Sequence, residues 1–262
     1  NAWLQWRYSM DEKMLREKIY PLLRRSINLY IHIMKEDADG TIHLPPTHSP
    51  EAATLADANF DLALFRWGCQ ALLKASERLG INDPLRPKWK YILEHLTDYP
   101  VDERGFRLGR ERTGPSGYRH ASHLLMIYPL HLVSIEQPEW RDVIKRSLRT
   151  FAEGQGGKDA MVASHLSPLL STASDGDGSL AWMRRQLADL TPAGLWDMSV
   201  TSGYQGAKVI PGEGRTSHPV IESSLSFANS LQNMLIQSWN GTIRVFPAMP
   251  SEKWAAATFH NL

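Results

Sequence analysis

The stretch DEKMLREKIYPLLRRSINLYIHIMKE, residues 11–36, decides the fold class. Its apolar residues Leu15, Ile19, Leu22, Leu23, Ile27, Tyr30, Ile33 and Met34 recur three and four positions apart, so they share one face of a helix. Pro21 lacks a backbone N–H and is expected to kink or break that helix. Outward from this stretch, residues 37–51 (DADGTIHLPPTHSPE) are rich in turn formers and read as a loop. A second long helix is expected from 52 to 79, stopped by Gly80. Shorter helices are expected at 86–97, 120–133, 138–153, 159–171 and 178–190, and a last one at 223–239. Strict alternation is almost absent before residue 240, so the chain reads as all-α, and helix pairs alternating with loops fit α-hairpins closing into a toroid. After Asn240-Gly241, the run Thr242, Ile243, Arg244, Val245, Phe246 reads as a β-strand entered by a turn. Residues 1–240 are therefore assigned to the helical domain and 241–262 to the start of a β-domain. The Asn240-Gly241-Thr242 sequon is read as that turn.

Composition excludes several classes. Of 262 residues 42% are apolar, too many for a disordered tail. With 29 basic and 28 acidic residues the formal charge is +1, which provides no basic field for nucleic-acid phosphates. A single cysteine, Cys69, makes neither an internal disulfide nor a thiolate metal site. No uninterrupted apolar run reaches about 18 residues, so no membrane span is expected. The chain opens at Asn1 without an initiator Met or a visible signal peptide, as a processed or excised segment does. Nine Trp, eight Tyr and seven Phe suit sugar-stacking platforms, and suit a Trp-rich helical core equally well.

Acid-base residues collect in three places beside loops. Thr47-His48-Ser49-Pro50-Glu51 puts a carboxylate after a rigid Pro turn, either projecting into a cleft as a general acid or serving as a first-turn helix acid. Tyr118-Arg119-His120-Ala121-Ser122-His123 sets two imidazoles three residues apart on one helical face, suited to sugar hydroxyls or to plain helix capping. No third ligand stands at helical spacing and no HExxH pattern exists, so neither a metal nor an organic cofactor is expected. His218-Pro219-Val220-Ile221-Glu222 repeats the first logic at the opening of the last helix. Two such carboxylates on separate loops suit an inverting glycosidase, which needs them about 6.5–9.5 Å apart. Asn59 and Asp61, on the second long helix, orient a ligand or satisfy buried backbone, and Asp57 is equally compatible with an exposed face. There is no GxSxG elbow, P-loop or strand-borne GxGxxG.

These motifs resemble glycoside hydrolase family 95. PPTHSPE (45–51) is similar to that family's PSxSPE segment, and YRHASHLLMIYP (118–129) to its HRHxSHLxxLYP. SLQNMLIQSWNGTIRVFPAMPSEKW (230–254) is similar to its passage from helix to strand, and residues 11–42 to the helix before its acid loop. The resemblance implies an (α/α)6 toroid flanked by β-domains, here entered part-way round the ring. It also implies an inverting exo-acting hydrolase releasing α-L-fucose or α-L-galactose from oligosaccharides or polysaccharides. Glu51 corresponds to the acid. The family's base, an Asp in QIDGNFG, is matched here by Glu222, one carbon longer and without the following Gly-Asn. The family's assisting Asn-x-Asn pair has no equivalent in this chain.

On this reading Arg119, His120 and His123 hold the sugar hydroxyls together with His48, Asn59 and Asp61. Trp67, Trp196 and Trp239 are the stacking platforms. The expected setting is the bacterial periplasm or exterior, and the oligomeric state is left open. The alternatives are a glycan-binding toroid or assembly subunit with a degenerate base, and a phosphorylase using Ser223 and Ser224 to hold an anion.

Overall fold

The structure, a computed structural model, describes residues 1–49, 53–111, 120–154, 160–189, 196–197, 208–209, 216–219, 221–251 and 258. For residues 160–161, 187–189, 196–197, 208–209, 216–219 and 221–224 the description is of the backbone alone.

Helix α1 (Ala2–Ser9) ends where Met10 turns left-handed, and α2 (Glu12–Met14) starts under an Asp11 cap, whose carboxylate accepts from the Met14 N–H at 2.9 Å. From there the chain stays helical through a π-turn, Leu15–Ile19, into α3 (Tyr20–Ile33). Pro21 thus does not break the helix. The wider π-turn precedes it and leaves it in the first turn of α3, where an absent N–H costs little. The extra residue in that turn also rotates the rest of the helix, so Leu22, expected on the inner face, is 59% exposed, while Leu15, Ile19, Tyr20 and Ile27 are buried.

The loop after α3 contains two hairpins. Strand β1 (Lys35–Glu36) pairs with β2 (Ile42–His43), and β3 (Thr47–Ser49) with β4 (Ala53–Leu55). The expected helix from residue 52 therefore starts later. Asp57 is left-handed (φ 44°), Ala58 is extended, and α4 runs Asn59–Arg78. It stops as expected at Gly80, whose φ of +62° favours a residue without a Cβ. Helix α5 (Arg86–His95) packs against it, and the loop after α5 holds a third hairpin, β5 (Val101–Asp102) with β6 (Gly105–Phe106). Gly105 is required there: its φ is +115°, and an added Cβ would stand 2.6 Å from the Ser147 backbone nitrogen.

The expected helix 120–133 is absent. Its place is taken by a single 3-10 turn, Ser122–Leu124, and irregular turns to Leu130. Pro129 disfavours helical geometry at the residue before it and has no N–H to continue the ladder, and the N–H groups ahead of it are satisfied locally, Leu124 N–H by the Ala121 carbonyl and Ile127 N–H by that of Leu124. Helices α6 (Pro138–Gly154), α7 (Ala160–Thr172) and α8 (Gly176–Asp189) fall close to their expected positions. The loop 191–219 carries β7 (Trp196–Asp197), β8 (Lys208–Val209) and β9 (Thr216–Pro219), in the order β7-β9-β8.

The last helix, α9 (Ile221–Leu235), ends four residues sooner than expected. Strand β10 (Ile236–Trp239) then pairs with β11 (Thr242–Val245) across Asn240-Gly241. Both turn residues have positive φ, 51° and 77°, the geometry that favours Asn-Gly in a two-residue hairpin. This ladder crosses residue 240, and Ala248 packs with Met183 of α8 and Met234 of α9 in a small core of its own.

The fold is predominantly helical. One main core joins α3, α4, α5, α6 and α7 with the 121–133 segment through Leu15, Ile27, Leu62, Phe65, Trp89 and Leu124, among others. Helix α7 packs on α8 and α9. No helix among the described residues is long and apolar enough to cross a membrane.

Candidate active site

Glu51 and Arg119 lie outside the described residues, as do the side chains of Glu222 and Trp196. The described elements on either side of position 51, and the helix that contains position 222, are tied together. Glu51 falls between β3 and β4, so the acid-bearing segment is the connection of a hairpin and not the first turn of a helix. The root of that hairpin is anchored in α4. The Asp61 carboxylate accepts hydrogen bonds from the Thr47 hydroxyl and, at 2.6 Å, from the Tyr30 hydroxyl. Asp61 is 4% exposed, and burial holds its carboxyl above the usual range although both bonds pull it down. Asn59 is fully buried, its amide donating to the carbonyls of Pro100 (3.0 Å) and Arg107 (2.7 Å). Asp61 thus braces the β3–β4 hairpin, whereas Asn59 ties the start of α4 to the residues flanking the β5–β6 hairpin. Asp57, for which the sequence left an exposed face equally open, is 1% exposed and bound by His43 and Arg110. His48 points outward beside Thr54, at 3.3 Å.

The 120–130 segment meets the hairpin through Ser49, whose hydroxyl lies 3.2 Å from that of Ser122. At its other end the Tyr128 hydroxyl accepts from the Asn229 amide of α9 at 2.8 Å. One short segment is therefore bonded to the hairpin that contains position 51 and to the helix that contains position 222. A cavity of about 300 Å³ opens along it, lined by Phe60, His120, Ser122, Tyr128, Ser164 and His165 together with apolar Leu125, Pro129, Pro168 and Leu169.

His120 and His123 do not share a face, because the helix that would align them does not form. His120 stands at the cavity with its ring 6.3 Å from that of His165. His123 is 4% exposed and edge-on to Phe151 at 5.7 Å, so its ring serves the core and not a sugar. Burial lowers its pKa to about 4 and keeps the ring neutral at physiological pH. Burial likewise pushes the Cys69 thiol up to about 12, leaving it inert.

A larger cleft, about 1190 Å³, shares the walls Leu125 and Pro129 with the small cavity and is lined by Trp3, Trp6, Trp67, His131 and Trp239, among others. Trp67 sits in this cleft, edge-on to Trp3 at 5.7 Å. Trp239, expected as a stacking platform, is 5% exposed. Its ring lies parallel to His131 at 4.8 Å and under the Arg244 guanidinium at 3.4 Å, and Arg244 is itself held by Glu136 at 2.7 Å. Its π-surface is occupied by protein. Burial, with help from Arg244 and Arg7, lowers the pKa of His131 to about 4. Among the described residues no group of three or more His, Cys, Asp or Glu is gathered as a metal site.

Reasoning from sequence missed His165, Ser164 and Asn229. No local spacing links them to the His120 segment, and the Asn229 contact joins residues 101 positions apart. The only available signal was a histidine inside an otherwise apolar helix, which is more often a core residue.

A predominantly helical body with a small cavity between the irregular 120–130 segment, α4 and α7, its walls mostly apolar with a few imidazoles and hydroxyls among them, suits a helical enzyme domain. The chain belongs to glycosyl hydrolase family 95: the model of that family's catalytic domain matches residues 1–205. The motif resemblance thus holds at the level of the family. Alpha-L-fucosidase 2 of Arabidopsis thaliana is 25% identical over 279 aligned residues, which cover 100% of this chain and 32% of that protein. The chain therefore spans about a third of the length of the curated relative it matches.

Proposed function

We propose that this chain is the acid-and-base-bearing part of an inverting exo-glycoside hydrolase that releases terminal α-L-fucose, or α-L-galactose, from oligosaccharides or polysaccharides. The observation that carries the reading is the 120–130 segment, hydrogen-bonded at one end to the hairpin containing position 51 and at the other to the helix containing position 222, around a cavity of about 300 Å³. The family match and the name of the plant relative support the substrate class. Glu51 protonates the glycosidic oxygen as the bond to the anomeric carbon breaks. Glu222 takes a proton from the water attacking the opposite face, so an α-linked sugar leaves as its β-anomer. Arg119 and His120 hold hydroxyls. The helices form part of an (α/α)6 toroid, 241–262 lead into a β-domain, and the enzyme works in a bacterial periplasm or outside the cell.

In the full-length protein Glu51→Gln is expected to lower turnover of an aryl α-L-fucoside about 10²–10⁴-fold with L-fucose binding retained. An unchanged rate removes Glu51 from the mechanism. Proton NMR of the released sugar should show the β-anomer first, and the α-anomer first would overturn inversion. The second reading, a ring that binds glycans without cleaving them, is favoured by one feature, the Glu at position 222 where the family has Asp. It requires binding without release by the unmodified protein.

A further inference from the structure

We infer that His165 is a substrate-contacting residue that determines sugar specificity, working as the partner of His120 across the small cavity; the inference rests on the hydrolase reading. Within α7, Ser164, His165, Pro168 and Leu169 line the cavity, while Leu166 on the other side of the helix is fully buried in the main core. Positions 164, 165, 168 and 169 form one helical stripe, so the imidazole is on the cavity side by the geometry of the helix and not by an exposed rotamer. It is half-buried, and its ring centre lies 6.3 Å from that of His120 at an interplanar angle of 55°.

Two hydrogen bonds of about 2.8 Å meeting at one oxygen span up to about 5.6 Å between ring nitrogens. A single sugar hydroxyl, or two neighbouring ones, can therefore be read by both rings. The remaining lining is of both kinds. The hydroxyls of Ser122, Tyr128 and Ser164 join the imidazoles, whereas Phe60, Leu125, Pro129 and Leu169 offer apolar surface. Such a mixed lining suits a sugar that offers both hydroxyls and a methyl or bare ring edge, and that edge is the difference between a 6-deoxy-hexose and its 6-hydroxy counterpart. His123, which sequence spacing pairs with His120, is excluded by burial against Phe151.

The test uses full-length His165→Leu and His165→Gln, with kcat and KM measured on 4-nitrophenyl α-L-fucoside and α-L-galactoside, L-fucose affinity measured by calorimetry, and the Tm of each variant. His165→Leu is expected to lower kcat/KM by about 10–100-fold and to change the fucoside-to-galactoside ratio by at least about threefold, with Gln recovering part of both. Loss of L-fucose affinity in the Leu variant should accompany it. The inference is overturned if both variants keep rates, ratio and affinity within about twofold of the parent. It is also overturned if both substrates lose equally while Tm falls, since that marks a packing role. A parent protein that binds L-fucose without hydrolysis defeats the hydrolase reading while the affinity arm still decides His165; a parent that does neither defeats both.

Discussion

Around the small cavity a few imidazoles and hydroxyls reach the void between mostly apolar walls, whereas around the neighbouring cleft the aromatic side chains end on one another. His120, Ser122, Ser164 and His165 border about 300 Å³ of space. Beside it Trp3 packs on Trp6 at 4.8 Å and on Trp67 at 5.7 Å, Arg78 covers Trp6 at 5.4 Å, and Trp239 is occupied by His131 and Arg244. The contrast teaches that a high tryptophan count is poor evidence for sugar platforms. An indole whose face already carries a cation and an imidazole has spent its stacking energy inside the protein.

If the contrast is right, the aromatic wall should govern stability and leave substrate recognition alone. Trp239→Ala is expected to cost about 3–5 kcal/mol in chemical denaturation, with kcat/KM per folded molecule unchanged. A raised KM at undiminished stability would break the contrast, because it would make Trp239 a platform after all.

The two histidines of the 120–123 pair should separate in the same way. The pKa of buried His123 is lowered to about 4, so its neutral form contributes full stability above the unfolded value of about 6.5. That contribution is lost as pH falls from about 6.5 towards 4, amounting to about 3 kcal/mol from a shift of this size. Unfolding free energies across that window should show the loss in the parent and a flatter profile in His123→Leu. Equal slopes would return His123 to the cavity. The smallest effect concerns the stitch between the hairpin and the cavity segment. A double-mutant cycle of Ser49→Ala with Ser122→Ala should give a coupling of about 0.5–1.5 kcal/mol, and no coupling would mean the two segments are held together by packing alone.

Much of the fold is legible in the sequence. The 3.6-residue period finds α4 to α8 because amphipathic faces are local patterns, Gly80 marks its helix end, and Asn240-Gly241 marks its hairpin. The failures have particular causes. Leu22 lands outside because a π-turn shifts the phase by one residue, which no period reveals. The 120–133 segment looks helical because Leu124, Leu125, Ile127 and Tyr128 keep the spacing, yet Pro129 and a left-handed His131 deny it the length to propagate. The start of α4 slips to Asn59 because Thr47, Ser49 and Thr54 pair as strands once Asp61 has fixed Thr47.

Of the candidate site, the types of residue and the segments that carry them can be read from the chain, and the motifs are specific enough to lead to glycosyl hydrolase family 95. Those are properties of neighbours in sequence, where spacing of three or four residues states which side chains share a face. Which imidazole faces His120, which tryptophan is consumed by packing, and which helix closes on Tyr128 were decided only by tertiary structure. These contacts join Ser49 with Ser122 and Tyr128 with Asn229, 73 and 101 positions apart, and such pairs are set by how layers of helices stack, not by any local period.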